Sequence, residues 1–112
     1  MKPEDAVDLY LEAWNVADDG QRLDLVRRAF TSDADRYGHD VAHGPDAIAA
    51  TMSQIPVQRT TPVQVQGDWS RFEWAAVADG ENLEGVDVAE HAPDGRLRRL
   101  IVFYTLRVPA EP

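Results

Sequence analysis

Apolar positions in the first half of the chain recur every three or four residues, and in the second half every two. Residues 4–17 carry Val7, Tyr10, Leu11 and Trp14 on one helical face. Pro3 suits the first turn of that helix, and Glu4 and Asp5 sit at the positive end of its dipole. Asp18, Asp19 and Gly20 break the pattern. A second helix is predicted over about 21–30, with Leu23, Val26 and Phe30 on its stripe, and TSDAD (31–35) ends it. RYGHDVAHG (36–44) reads as a short strand running into a loop. Gly44-Pro45 opens a third helix with Asp46 in its first turn and Ile48, Met52 and Ile55 on its stripe; Pro56 stops it.

The period then changes. Val63 and Val65 alternate with Gln64 and Gln66, and Gly67-Asp68 signals a turn. In WSRFEWAAV (69–77), Ser70, Phe72, Trp74 and Ala76 share one face and Arg71, Glu73 and Ala75 the other. ADGEN (78–82) is a hairpin turn, 83–91 a strand, PDG (93–95) a second turn and 96–108 a last long strand. On that strand Leu97, Ile101 and Phe103 fall on one face, and Leu100, Val102, Tyr104 and Leu106 on the other. The residues after it, PAEP, read as a tail.

The fold class expected is α+β: one domain over 1–112, with three N-terminal helices packed on a mixed, mostly antiparallel sheet. Three helices cover one face of such a sheet. A last strand that is apolar on both faces therefore points to a homodimer closed through the sheet.

Composition narrows the function classes. The net charge of −9, from 20 acids against 11 Lys and Arg, argues against nucleic acid, which needs a basic face. There is no cysteine, hence no disulfide, thiolate nucleophile or Cys metal site. No apolar run approaches the ~20 residues of a membrane span, and the N-terminus lacks a signal-peptide core, so a cytoplasmic protein without membrane contact is expected. Gly-rich phosphate loops, nucleophile elbows and triad signatures are missing. His39, Asp40, His43 and His91 do not make a metal motif, because H-x-x-x-H is diagnostic only on a helix. No metal or cofactor is expected.

The ordered set YLEAWN (10–15), DLVRRAF (24–30), DADRYGHD (33–40), GPDAIAATM (44–52), RFEW (71–74), LEGVDVAE (83–90) and DGRLRRLIVFY (94–104) resembles the nuclear transport factor 2-like superfamily, in the style of SnoaL-like polyketide cyclases. The resemblance spans nearly the whole chain. It implies a cone in which a curved sheet wraps the first helix, a pocket between sheet and helices, and dimers through the outer sheet face. It is specific for fold rather than reaction, since this fold hosts isomerases, cyclases, dehydratases, epoxide hydrolases and proteins without chemistry.

In ketosteroid isomerase, the relative with the clearest chemistry, a tyrosine and a protonated aspartate form an oxyanion hole while a second aspartate moves the proton. The resemblance places the tyrosine at Tyr10 and the oxyanion aspartate at Asp87. The proton-moving aspartate would fall at Gly38, which leaves His39 and Asp40, just beyond, as candidate proton carriers. The catalytic candidates are thus Tyr10, Asp87, His39 and Asp40. The ligand-binding candidates are Trp14, Tyr37, Met52, Phe72, Trp74, Arg99 and Phe103, around a hydrophobic small molecule.

Each candidate also has an ordinary reading. Tyr10 and the aromatic residues also suit a plain core, and His39 a solvated loop. Alternation shows only that Asp87 shares a face with Leu83, Gly85 and Ala89; that face meets the pocket, or it meets water while Val86 and Val88 form the core side. Arg99, in step with Leu97 and Ile101, is positioned to pair with Asp87. Three functions follow: an isomerase, cyclase or dehydratase acting on an apolar carbonyl compound; a ligand-binding or dimerisation module without chemistry; and a water-activating, epoxide-hydrolase-like enzyme using Asp87, Arg99 and Asp40.

Overall fold

A computed structural model describes the chain through residue 107, with side chains through Tyr104; Val108, the PAEP tail and the Leu106 side chain lie outside the described residues. The elements are α1 (Pro3–Asn15), α2 (Asp19–Ala29), β1 (Phe30–Tyr37), β2 (Val41–His43), α3 (Pro45–Ala50), β3 (Val57–Arg59), β4 (Gln64–Gln66), β5 (Trp69–Ala78), β6 (Glu81–His91) and β7 (Leu97–Arg107). The architecture is α+β. The seven-stranded sheet runs β2-β1-β7-β6-β5-β3, with β4 also on β5, and is not closed. β1 and β7 are parallel and the other pairs antiparallel, so the sheet is mixed.

Local chemistry explains the helix ends. α1 starts where the Lys2 N–H donates to Asp5 Oδ2 at 2.8 Å, and α2 where the Gln21 N–H donates to Asp18 Oδ2 at 2.8 Å. Arg22 of α2 is buried and reaches back to the end of α1. Its Nε donates to Ala13 O (3.1 Å), its Nη2 to Val16 O (2.6 Å) and its Nη1 to Asp19 Oδ1 (2.7 Å). Carbonyls that the ending helix leaves without partners are satisfied by a side chain from the next helix.

The architecture differs from the sequence expectation in three places. Only two helices lead the chain; α3 follows β1 and β2, where Gly44 at φ 83° makes the turn and its N–H donates to Ala34 O at 2.7 Å. α3 also ends at Ala50, before Met52 and Ile55, although Met52 is still buried. TSDAD does not end a helix in a loop: it is the first half of β1, directly after α2. Its parallel partner, β7, lies more than sixty residues away, and such pairing overrides local turn propensity.

The third difference is a register shift in β7. Glu90 pairs with Arg99 but His91 pairs with Leu97, so Arg98 is the extra residue of a bulge. Leu97 and Leu100 consequently both enter the core, fully buried, and Leu97 leaves the alternation of Ile101 and Phe103. The core lies between the helices and one sheet face. Tyr10, Phe30, Phe72, Ile48, Leu97 and Leu100 are its largest buried side chains, with Tyr10 and Phe30 edge-to-face at 5.5 Å. That ring geometry contributes about 0.5–1.5 kcal/mol beyond area burial.

Candidate functional site

A cavity of about 260 Å³ opens between α1 and the sheet. α1 contributes Tyr10, Leu11 and Trp14; β1 contributes Arg36; the β1–β2 loop contributes His39 and Asp40. Thr51, Ile55 and Val57 close one side, and Trp74, Ala76, Leu83, Asp87, Val102 and Tyr104 come from β5, β6 and β7.

Asp87 is the buried acid of this cavity, Asp40 the exposed one. On β6, Asp87 and Ala89 are buried while Val86 and Val88 on the other face are half-buried, so the face carrying Asp87 is the one that meets the core. Asp87 is 2% exposed, and the Trp74 Nε1–H donates to its Oδ1 at 2.8 Å. Burial pushes its carboxyl up to about 7; the Trp74 hydrogen bond and the charge of Arg36 oppose that rise without cancelling it. Trp74 reaches the carboxyl because its cross-strand partner is Gly85, two residues before Asp87 on the same face.

Tyr10 is also buried, and its Oη accepts a hydrogen bond from Arg36 Nε at 3.1 Å. Burial raises its phenol above the ordinary value, the Arg36 charge lowers it and a charge on Asp87 raises it. The guanidinium of Arg36 lies 5.6 Å from the centre of the Trp14 ring, a cation–π contact.

Six of the candidates therefore meet around one cavity: Tyr10, Trp14, His39, Asp40, Trp74 and Asp87. His39 and Asp40 are exposed, which puts them at its rim. Met52 and Phe72 are buried in the packed core and do not line the cavity; Phe72 stands directly across from Asp87 on β5. Tyr37, Arg99 and Phe103 are corrections. Tyr37 pairs with Ile101 and Phe103 with Val86, on the sheet face away from Asp87, and Phe103 is 59% exposed. Arg99 is exposed on that same face, between Glu90 and Asp35, because the bulge at Arg98 reverses its alternation with Leu97. The set Asp87, Arg99 and Asp40 does not come together.

The arginine that enters the cavity is Arg36, which the sequence reading left unassigned. The signal lay in DADRY: Ala34 is fully buried, and on a strand Arg36 shares its face. Reading TSDAD as a helix end hides it, because the strand then starts at Arg36 and leaves Ala34 outside. Val102 and Tyr104 also line the cavity, on the sheet face that alternation had grouped them in. The histidines are dispersed. His91 is buried, and its Nδ1–H donates to Gly95 O at 2.7 Å, which leaves Nε2 to accept from the Ser70 hydroxyl at 2.7 Å. No group of three His, Asp or Glu suited to a metal ion occurs among the described residues, and no helix there is long and apolar enough to cross a membrane.

No protein-family model matches the sequence, and neither does any curated protein. Solved structures do match. A protein from Agrobacterium tumefaciens assigned as an isomerase of the SnoaL-like family superposes with a TM-score of 0.79 at 24% identity, over 89% of this chain and 94% of that one. A protein from Kribbella flavida assigned as a ketosteroid isomerase gives 0.72 at 16% identity, over 98% and 82%. SalBIII, the epoxide hydrolase/cyclase-like enzyme of pyran-ring formation in salinomycin, gives 0.69 at 18% identity, over 92% and 90%. At these identities the likeness concerns fold. With α1 and the sheet enclosing one cavity, and with these superpositions over most of each chain, the protein has the nuclear transport factor 2-like fold.

Proposed function

We propose that this chain is a small-molecule pocket protein whose cavity takes a flat, apolar molecule carrying a carbonyl or enol oxygen, held by Asp87 and Tyr10. The observation that carries the reading is the Asp87 carboxyl, buried at the cavity and pushed up to about 7. A carboxyl in that state keeps its proton close to neutrality and donates it. Tyr10 adds a second donor. Its oxygen already accepts from Arg36, and its own proton has no acceptor among the described residues. Two such donors bind a ligand oxygen more strongly as negative charge gathers on it, which favours an enol-like form over the ketone. Isomerisation, cyclisation or dehydration next to a carbonyl uses that preference, with His39 or Asp40 at the rim moving the proton on carbon.

Gly38 favours a second reading, binding without turnover. The resemblance puts the proton-moving aspartate at that position, and glycine has no group to move a proton. Two flat probes, 2-naphthol and 2-tetralone, separate the readings. Both are expected to bind and to shift the Asp87 carboxyl-carbon resonance. Exchange of the tetralone α-protons with solvent deuterium, lost in Asp87→Asn, supports catalysis; binding without accelerated exchange assigns the second reading. No binding of either probe, with an ordinary carboxylate titration for Asp87, removes both.

The outer sheet face belongs to the same proposal. Tyr37, Val86, Val88, Ile101 and Phe103 give it an apolar centre bordered by Arg71, Glu73, Glu90 and Arg99, and a second copy of the chain covers it. Sedimentation is expected to give a dimer that Phe103→Glu dissociates; a wild-type monomer at micromolar concentration would refute this.

A further inference from the structure

Arg36 does something that oxygen-holding by Asp87 and Tyr10 does not require. It is a half-buried cation in an otherwise mostly apolar cavity, and among the described residues it has no carboxylate within ion-pair distance. Acids are not scarce: the chain has 20 against 11 Lys and Arg, and other arginines find them, Arg22 with Asp19 and Arg27 with Asp46 for instance. Asp40 and Asp87 line the same cavity, yet neither pairs with Arg36. Half-buried and without an ion-pair partner among the described residues, that cation is open to an anionic ligand entering the cavity.

We propose that Arg36 is an anion anchor and that the occupant suited to this cavity is a flat, apolar monocarboxylate, gripped end-on by Nη1 and Nη2 of Arg36. The inference rests on the pocket reading above and names its ligand class. The guanidinium is already oriented for this role. Its Nε is engaged by Tyr10 Oη at 3.1 Å, and its plane is held near the Trp14 ring. That leaves the Nη1–Nη2 fork, which matches the two oxygens of a carboxylate.

Gly38 keeps that end of the guanidinium uncrowded. A Cβ at position 38 would stand 3.3 Å from Nη1 and 3.7 Å from Nη2, tight enough that the neighbour would have to give way. The chain thus has a cation, and room beside it, where the resemblance implies a proton-moving acid. A phosphate fits less well: a dianion needs several donors, and the Nη1–Nη2 fork of Arg36 is a single bidentate grip. The aromatic body of the ligand lies against Trp14 and Trp74, while Asp87 and Tyr10 remain for its second oxygen function.

The test compares 2-naphthoate with naphthalene-2-carboxamide, nearly equal in shape and different in charge, by titration calorimetry at about pH 6, where Asp87 keeps its proton and the naphthoate is ionised. The carboxylate is expected to bind about 10- to 100-fold more tightly than the amide, the range of charge-assisted hydrogen bonds. Arg36→Met should abolish that preference while leaving amide binding in place. Should Arg36→Met fail to fold, Arg36→Lys carries the test, because it keeps the charge and loses the fork; a several-fold loss for naphthoate alone is expected. Equal affinity of both probes for the wild-type chain overturns the anchor and leaves the pocket reading standing. A preference that survives Arg36→Met overturns the role of Arg36. Binding of neither probe overturns the inference together with the reading beneath it.

Discussion

Trp74 occupies the space that a side chain at Gly85 would need. A Cβ on residue 85 would overlap Cζ2 and Cε2 of the indole, and would stand 2.7 Å from Phe103 O. The ring can swing away, but the backbone carbonyl cannot. Because the Trp74 Nε1–H is the donor to Asp87 Oδ1, the missing side chain at Gly85 is what lets a half-buried tryptophan hold a buried acid.

Gly85→Ala should therefore lower stability by about 1–3 kcal/mol, the usual cost of overpacking. It should also raise the Asp87 pKa above its wild-type value, since the bond that favours the carboxylate is lost. Denaturant unfolding and carboxyl-carbon NMR read the two effects separately. Unchanged titration of Asp87 would mean that the indole has not moved.

The raised carboxyl of Asp87 makes a signed prediction about pH. Unfolded, the group titrates near ~3.9; folded, it titrates at about 7. Between those values the folded chain holds a proton that the unfolded chain has released, so stability falls as pH rises from about 4 to about 7. Below that window both states are protonated, so the contribution is fully present and no longer varies with pH. Its full span is on the order of 4 kcal/mol. Asp87→Asn cannot titrate, so urea unfolding between pH 4 and 8 should show this component gone and the variant more stable than wild type at pH 8. Identical slopes for the two chains would argue that Asp87 is not a buried acid.

Arg22→Ala should destabilise the chain by about 3 kcal/mol. The change removes donors from Ala13 O and Val16 O and strands carbonyls at the end of α1. Amide exchange should report the loss first at residues 10–16. A loss below about 0.5 kcal/mol would mean that water replaces the guanidinium at little cost.

Ser70→Ala should cost about 1–2 kcal/mol, because the buried Nε2 of His91 loses its donor. The Nδ1–H bond to Gly95 O should persist, so nitrogen NMR should still find the Nδ1–H tautomer. A change of tautomer would show that Ser70, rather than the hairpin carbonyl, sets the protonation of the ring.

Several parts of this protein were legible from residues alone. Helical period put Tyr10 and Trp14 on one face of α1, and strand period grouped Ser70, Phe72, Trp74 and Ala76 on the face that is buried in β5. It also grouped Asp87 with Leu83, Gly85 and Ala89. These are statements about which residues share a face, and backbone geometry settles them within a few residues.

The tertiary structure decided which face was the inside and which arginine belonged there. Asp87 meets the cavity because β6 lies between β5 and β7 with α1 across its face, an arrangement of segments up to a hundred residues apart. Arg99 left that face through one bulged residue, and Arg36 gained it because β1 extends back through TSDAD to pair with β7. A one-residue slip reverses every side chain beyond it, and the slip is fixed by the neighbouring strand rather than by the strand's own sequence. Local period therefore determined the faces, while register and pairing, which depend on contacts distant in the chain, determined the site.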